Sequence, residues 1–372
     1  MSRALARSEL IAWARLARAP RIGPISFHRL VALYKEPARA LEALAARGGP
    51  APPGADRIEA EIDKLETMQA RLIASCEPDY PDLLKALDAP PPLIGVRGDW
   101  RLLQKPAIAI VGAREASASG LMLAERFAAS LGKAGFVIAS GLARGIDGAA
   151  HRSALPTGTI AVLAGGLDRP YPPQHLKLHD EIAAQGAVIS EAPLGFTARA
   201  RDFPRRNHIV SGLSRGVVVI EAALRSGSLI TARAAGEQGR DVMAAPGSPL
   251  DPRARGSNAL IKSGAALVED CEDVIAIVGA AQDGPRIAPA RPLSPGPLFR
   301  ELDEEPASDA MRDRLSALLS PTPVHVNDLA RLCAAPSALV AAALVELELE
   351  GRAASLPGGY AASSGSGFSG FD

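Results

Sequence analysis

The segment Phe203-Pro204-Arg205-Arg206-Asn207-His208-Ile209-Val210-Ser211-Gly212-Leu213-Ser214-Arg215 sets two adjacent guanidiniums and an amide between a proline and the apolar run Gly216-Val217-Val218-Val219-Ile220. Guanidinium forks bind phosphate and carboxylate bidentately. A charged pair just ahead of a buried strand belongs on the rim of an α/β sheet, where such sheets bind ligands. The expected chemistry is anion binding by a basic loop.

Three further segments repeat the theme. Val111-Gly112-Ala113-Arg114-Glu115-Ala116-Ser117-Ala118-Ser119-Gly120 follows one apolar run, with Arg114 as a fork and Ser117 as a helix cap or phosphate donor. Ser140-Gly141-Leu142-Ala143-Arg144-Gly145-Ile146-Asp147 follows the next; its glycines allow close backbone approach, Arg144 faces a ligand, and Asp147 anchors the following helix. Ser226-Gly227-Ser228 opens a helix and either holds an anion on its amides or serves only as a cap. His151 reads as a packed helix residue. His175 and His179 have the spacing of a metal pair without an apparent third ligand, so no metal is expected, and Lys177 between them is the better candidate for a phosphate. No nucleophile, base and orienter accompany these donors, so the residues point to binding phosphates rather than cleaving them. There is no GxxxxGK[ST], and Val111–Gly120 is not GxGxxG.

Six short apolar runs, at residues 107–111, 136–139, 159–163, 187–189, 217–220 and 241–244, alternate with helix-length segments, and a weaker run lies at 266–268. Runs apolar on both faces and separated by helices mark a doubly wound α/β parallel sheet. Residues 1–75 read as helices only, with a Gly-Pro turn at Gly23-Pro24 of the kind found in helix-hairpin-helix modules. Residues 76–280 are the α/β domain, and residues 281–308, rich in Pro, Gly and Ala, a linker. Residues 309–361 hold three short helices and a hairpin, the winged-helix plan, and 362–372 a disordered Ser/Gly tail. The third winged-helix segment, Ser337–Glu350, has no basic residue and three glutamates, which suits protein contacts better than duplex readout.

Formal net charge is zero, with 41 basic and 41 acidic residues, so a polyanion must be held by a local patch. Cys76, Cys271 and Cys333 lack CxxC spacing and read as free thiols of a reducing compartment, the cytoplasm. No run suits a membrane span, and the N-terminus lacks a secretory core.

At the segments quoted, together with Gly256-Ser257-Asn258-Ala259-Leu260-Ile261, the chain resembles the DNA-processing protein A family, also called DprA or Smf, across the whole α/β domain. The flanking modules resemble that family's accessory domains, an N-terminal helical SAM/helix-hairpin-helix-like domain and a C-terminal winged helix. The resemblance implies an extended Rossmann-like fold that dimerises, and a non-enzymatic protein without cofactor that binds single-stranded DNA. It further implies contact with the RecA recombinase and its loading, protection of incoming DNA, and a role in natural transformation. Carried over by motif, Arg144 is the first DNA-contact candidate, with Arg114, Ser117, Gly145, Lys177, Phe203, Arg205, Arg206, Asn207, Ser226, Gly227 and Ser228 around it. The family commonly has a second basic residue where this chain has His208, which weakens one expected phosphate contact. Phe203 is the only aromatic of the basic loop, so binding is expected to be dominated by the backbone and sensitive to salt.

A rival reading is an enzyme resembling the lysine-decarboxylase-like phosphoribohydrolases, whose loop is PGGxGTxxE. The nearest stretch, Ser226–Arg233, has no acidic residue at the glutamate position.

Overall fold

The computed structural model describes residues 3–46, 51–283, 309–319, 323–356 and 359–363. By internal contacts the chain divides into two compact units. The first is built chiefly from Glu61–Leu87 and from Leu93 through the helix Cys271–Asp283, and the second from Leu5–Ala60, Asp88–Pro92 and the C-terminal segment.

A nine-stranded sheet organises the first unit. In chain order its strands are β1 (Ala70–Ala74), β2 (Leu93–Gly98), β3 (Ala107–Gly112), β4 (Val137–Ser140), β5 (Thr159–Leu163), β6 (Ala187–Ser190), β7 (Gly216–Ile220), β8 (Asp241–Ala244) and β9 (Ala266–Leu267). The spatial order is β1-β2-β6-β5-β4-β3-β7-β8-β9, with β3 to β9 parallel and β1 and β2 antiparallel at one edge. From β3 the chain steps outward through β4, β5 and β6, then returns to pair β7 on the other side of β3. That reversal is a topological switch point, and it opens a crevice at the carboxyl ends of β3 and β7.

Helices cover both faces of the sheet, which is why its strands are apolar throughout instead of alternating. Ala107, Ala109, Val111, Val217 and Val219 pack on one side with Tyr80, Leu84, Ile209 and Val210. Ile108, Ile110, Val218 and Ile220 pack on the other with Phe127, Leu131, Ile146 and Ala149.

Two expectations need correction. Residues 70–74 are a strand, not part of an all-helical module: the helix Ala55–Thr67 ends, Gln69 turns the chain with φ +55°, and Leu72, which continues the helical spacing of Leu65, pairs with Gly95 in the sheet. The basic segment is not a loop either. Phe203–Gly212 is a helix with Pro204 in its first turn, where a missing N–H costs nothing, and only Arg206, Ile209, Val210, Ser211 and Gly212 turn inward.

In the second unit, Gly23 ends the Arg21–Gly23 turn and its carbonyl accepts from Phe27 N at 2.9 Å, while Pro24 starts the helix Pro24–Tyr34. Trp13 packs against Phe27 with centroids 5.0 Å apart and planes tilted by 58°, and donates to Pro92 O at 2.7 Å. The C-terminal helices Asp309–Leu318, Val326–Cys333 and Ser337–Leu349 pack with β10 (Val324–His325), β11 (Ala353–Leu356) and β12 (Tyr360–Ser363) around Leu315, Leu329, Leu344 and Leu347. Ala362 and Ser363, assigned to the tail, belong to β12. The expected linker from 284 to 308 and the tail from 364 lie outside the described residues. The glutamates of the third helix are engaged: Arg312 pairs with Glu346 at 3.5 Å and with Glu350 at 3.3 Å, and Ser26 donates to Glu348 at 3.2 Å. No helix among the described residues is long and apolar enough to cross a membrane.

Candidate functional site

An open cleft of about 1070 Å³ lies at the switch point, lined by the loops after β3, β4, β5 and β7 and by the start of the helix Phe203–Gly212. Parallel strands deliver their following segments to one edge, so these converge there with Ala198 and Ala200 from the segment after β6 and Arg253 from the segment after β8.

The loop after β4 is held by two devices. Asp147 is buried and accepts hydrogen bonds from Gly141 N at 3.1 Å and Ala143 N at 3.2 Å, which fixes the turn that carries Arg144. Burial pushes the Asp147 carboxyl up, against the opposing pull of Arg206 and of these amides. Gly145 adopts φ +75°, and a Cβ there would overlap the Ala113 carbonyl oxygen, so only glycine lets the loops after β3 and β4 meet. Ile146 N completes that junction by donating to Ala113 O at 3.2 Å. Arg144 and Arg114 are left exposed on the cleft wall, as is Arg225 from the loop after β7. None of the three has a carboxylate partner among the described residues.

Arg206 behaves differently from the expected phosphate clamp. Its side chain turns inward with the residue 6 % exposed, and it donates to the carbonyls of Gly141 and Val162, the latter at 3.0 Å. A Cβ at position 141 would overlap its guanidinium, so Gly141 admits it. Burial draws its pKa down to about 10, with Asp147 opposing and Arg114 adding to the fall, so it stays charged at neutral pH. Arg206 ties the helix Phe203–Gly212 to the ends of β4 and β5. Arg205 points elsewhere and pairs with Glu191, a carboxyl that burial pushes up. The adjacent pair is thus one internal tie and one surface ion pair, because neighbours on a helix do not face the same way.

Of the other candidates, Phe203, Asn207, Ser226, Gly227 and Ser228 line the cleft. Asn207 donates to Gly227 O at 3.2 Å and accepts from Arg206 Nε at 3.1 Å. Ser226 caps the helix Gly227–Glu237, and its hydroxyl meets that of Ser228 at 2.7 Å. Ser117, Gly145, Lys177 and Arg205 do not line it. Ser117 caps the helix Ala118–Lys133, accepting from Gly120 N at 3.0 Å, while its own N–H donates to Glu221 at 2.8 Å and its hydroxyl to the same carboxylate. Lys177 is exposed and pairs with Glu181 at 3.8 Å. His208, where a second basic contact is missing, also lies outside the cleft lining; burial lowers its pKa and Glu237 opposes the fall.

Tyr171, Arg225 and Arg253 line the cleft without having been singled out as site residues. Tyr171 stands 54 % exposed after β5, and Arg253 is paired with Asp251 at 2.8 Å. Arg225 sits directly before the Ser-Gly-Ser turn, the one local signal that marks it.

Below the cleft, His151 is fully buried. Thr159 Oγ1 gives its proton to Ile138 O at 2.7 Å, so at the 2.7 Å contact with His151 Nδ1 the ring donates and Nε2 is left unprotonated. Burial draws the His151 pKa from 6.5 to about 3, reinforced by the positive charges nearby. Between those values the unfolded chain takes up the proton and the folded chain does not, so stability falls as pH drops below about 6.5. The expected loss from this one group is about 2 kcal/mol by pH 5. Melting curves at both pH values for wild type and His151→Leu check it: the variant should lose part of the acid dependence, and an unchanged dependence would refute the assignment. No cluster of three or more His, Cys, Asp or Glu among the described residues could hold a metal ion; His179 is buried and bonded to Asp180 at 3.1 Å, and His175 Nδ1 lies 3.0 Å from Leu142 O. Cys76, Cys271 and Cys333 are free.

The family model for DNA recombination-mediator protein A matches residues 71–279, and models for the DprA-like N-terminal HHH domain and the DprA winged helix domain match 7–63 and 300–359. Protein Smf of Escherichia coli is 40 % identical over 307 residues, covering 82 % of this chain and 80 % of that protein. DNA processing protein DprA of Streptococcus pneumoniae is 46 % identical over 200 residues, 53 % of this chain and 70 % of the relative. The X-ray structure of the Streptococcus pneumoniae protein superimposes with a TM-score of 0.63 at 32 % identity, covering 74 % of this chain and 98 % of the other. The structure of DNA processing protein A from Helicobacter pylori, described for its single-stranded DNA binding mode, gives a TM-score of 0.53 at 30 % identity, covering 57 % and 97 %. With the switch-point cleft, the helical N-terminal module and the winged helix all matched in order along one chain, this protein belongs to the DNA recombination-mediator protein A (DprA/Smf) family.

Proposed function

We propose that the chain binds single-stranded DNA in the switch-point cleft, shields it, and hands it to a RecA-type recombinase in recombination and in uptake of DNA, acting in the cytoplasm as a homodimer through the α/β domain and catalysing no reaction itself. The observation that carries this reading is the set of exposed arginines, Arg114, Arg144 and Arg225, around the cleft with no carboxylate partner among the described residues. Free guanidiniums attract phosphates without neutralising the whole molecule, whose net charge is zero. Support also comes from the Helicobacter pylori relative and its single-stranded DNA binding mode.

The binding reading is favoured over the phosphoribohydrolase reading by the character of the acidic lining. Asp147 is tied to two amides and pushed up by burial, and Glu115 is the other carboxylate of the lining. No histidine or cysteine lines the cleft among the described residues.

The test is an anisotropy titration of single- and double-stranded oligonucleotides at several salt concentrations. Single strands should bind more tightly, and log K should fall against log salt with a slope of about −2, near 0.7 for each of three phosphates. Equal binding of both forms, or a slope near zero, removes the proposal. Release of free base from nucleoside monophosphates under the same conditions would replace it with the enzyme reading.

A further inference from the structure

Phe203, the aromatic residue that the sequence places in the basic segment, is not free to hold a base. It is half-buried, and the guanidiniums of Arg114 and Arg206 lie over its ring, with Cζ at 5.7 Å and 5.5 Å from the centroid. Its ring meets that of Tyr171 edge to face, with centroids 5.8 Å apart and planes at 69°. Tyr171 comes from the loop after β5, lines the same cleft and is 54 % exposed. A single exposed aromatic needs no explanation on an ordinary surface. This one is fixed by a ring contact inside a cleft whose exposed charges are Arg114, Arg144, Arg225 and the Asp251-paired Arg253 against the single exposed carboxylate Glu115, where an apolar face beside phosphate-binding groups matches a nucleotide.

We propose that Tyr171 is the base-stacking platform of the cleft and that Phe203 is a positioning residue, seating Arg114 and Arg206 over its ring and bracing Tyr171 at its edge. The ligand class is an unpaired nucleobase, whose face is available in a single strand and hidden in a duplex, while Arg114, Arg144 and Arg225 take the flanking phosphates. This rests on the DNA-binding reading and adds to it a source of strand selectivity that charge alone does not supply.

The test compares an oligothymidine with the same strand carrying abasic sites, and uses full-length wild type, Tyr171→Ala, Tyr171→Phe and Phe203→Leu. Wild type and Tyr171→Phe should prefer the strand with bases by on the order of tenfold. Tyr171→Ala should bind both strands alike, with the salt slope kept because the arginines are untouched. A strand carrying 2-aminopurine reports stacking directly: its fluorescence should be quenched by wild type and by Tyr171→Phe, and not by Tyr171→Ala. If Tyr171→Ala still discriminates and still quenches, the platform assignment is wrong, and loss of both in Phe203→Leu with retention in Tyr171→Ala moves the platform to Phe203. A wild type that binds both strands equally with a normal salt slope sinks the base subsite and leaves DNA binding standing. A wild type that binds neither strand sinks both.

Discussion

Replacing Arg144 by Ala is expected to weaken binding of a single-stranded oligonucleotide by about tenfold or more, and to lower the salt slope by about 0.7. The side chain is exposed at the cleft wall, has no carboxylate partner among the described residues, and stands on a turn fixed by Asp147 and by the left-handed Gly145. The fixed turn spares the backbone an ordering cost when a phosphate arrives, and removing the guanidinium removes a charged hydrogen bond, about 1.5–3 kcal/mol. The backbone and its packing do not depend on the side chain, so the melting temperature should stay within the usual scatter of a surface change. Arg144→Lys should recover part of the affinity, since the charge returns without the planar fork. Titrations at three salt concentrations separate these outcomes. An affinity unchanged in Arg144→Ala means that the strand runs elsewhere.

Arg206→Met is expected to act on the fold instead. The buried guanidinium holds the carbonyls of Gly141 and Val162 and offsets the buried charge of Asp147. Its loss leaves two buried carbonyl acceptors unpaired and takes a favourable charge from the neighbourhood of the buried Asp147, a loss of about 2–5 kcal/mol. For a domain of this size the melting temperature should fall on the order of 10 °C. The double variant Arg206→Met/Asp147→Asn should recover part of that loss, because removing both charges ends the desolvation penalty that removing one exposes. A single variant as stable as wild type would show that the inward arginine carries no structural load.

These two arginines show how far the residues by themselves reach. Strand runs such as Ile108-Ala109-Ile110-Val111, the loops that follow them and the family motifs are local patterns, and all are legible before folding. The same holds for the winged-helix plan, whose helices recur where their spacing places them. Less legible are β1 and β2, the two antiparallel strands at one side of the sheet, whose place comes from pairing with each other and from β2 pairing with β6. Nor does the adjacency of Arg205 and Arg206 say which one reaches the ligand. On a helix successive side chains point in different directions, and the packing under that helix sends Arg206 to the Gly141 and Val162 carbonyls and Arg205 to Glu191. Tyr171 joins the site for the same reason, since the parallel sheet brings the β5 loop beside Phe203 across more than thirty residues of sequence.

What the sequence by itself determined is which groups stand at the carboxyl ends of a doubly wound sheet: arginines, serines and glycines, Arg144 among them. Only the tertiary structure decided which of those groups remain free. Arg205 pairs with Glu191 at the surface, Arg206 lines the cleft but turns its guanidinium inward onto backbone carbonyls, Ser117 is tied to Glu221, and the switch point gathers Arg114, Arg144, Arg225 and Tyr171. Charge availability depends on who the neighbours are, and long-range neighbours are set by strand order, not by local spacing.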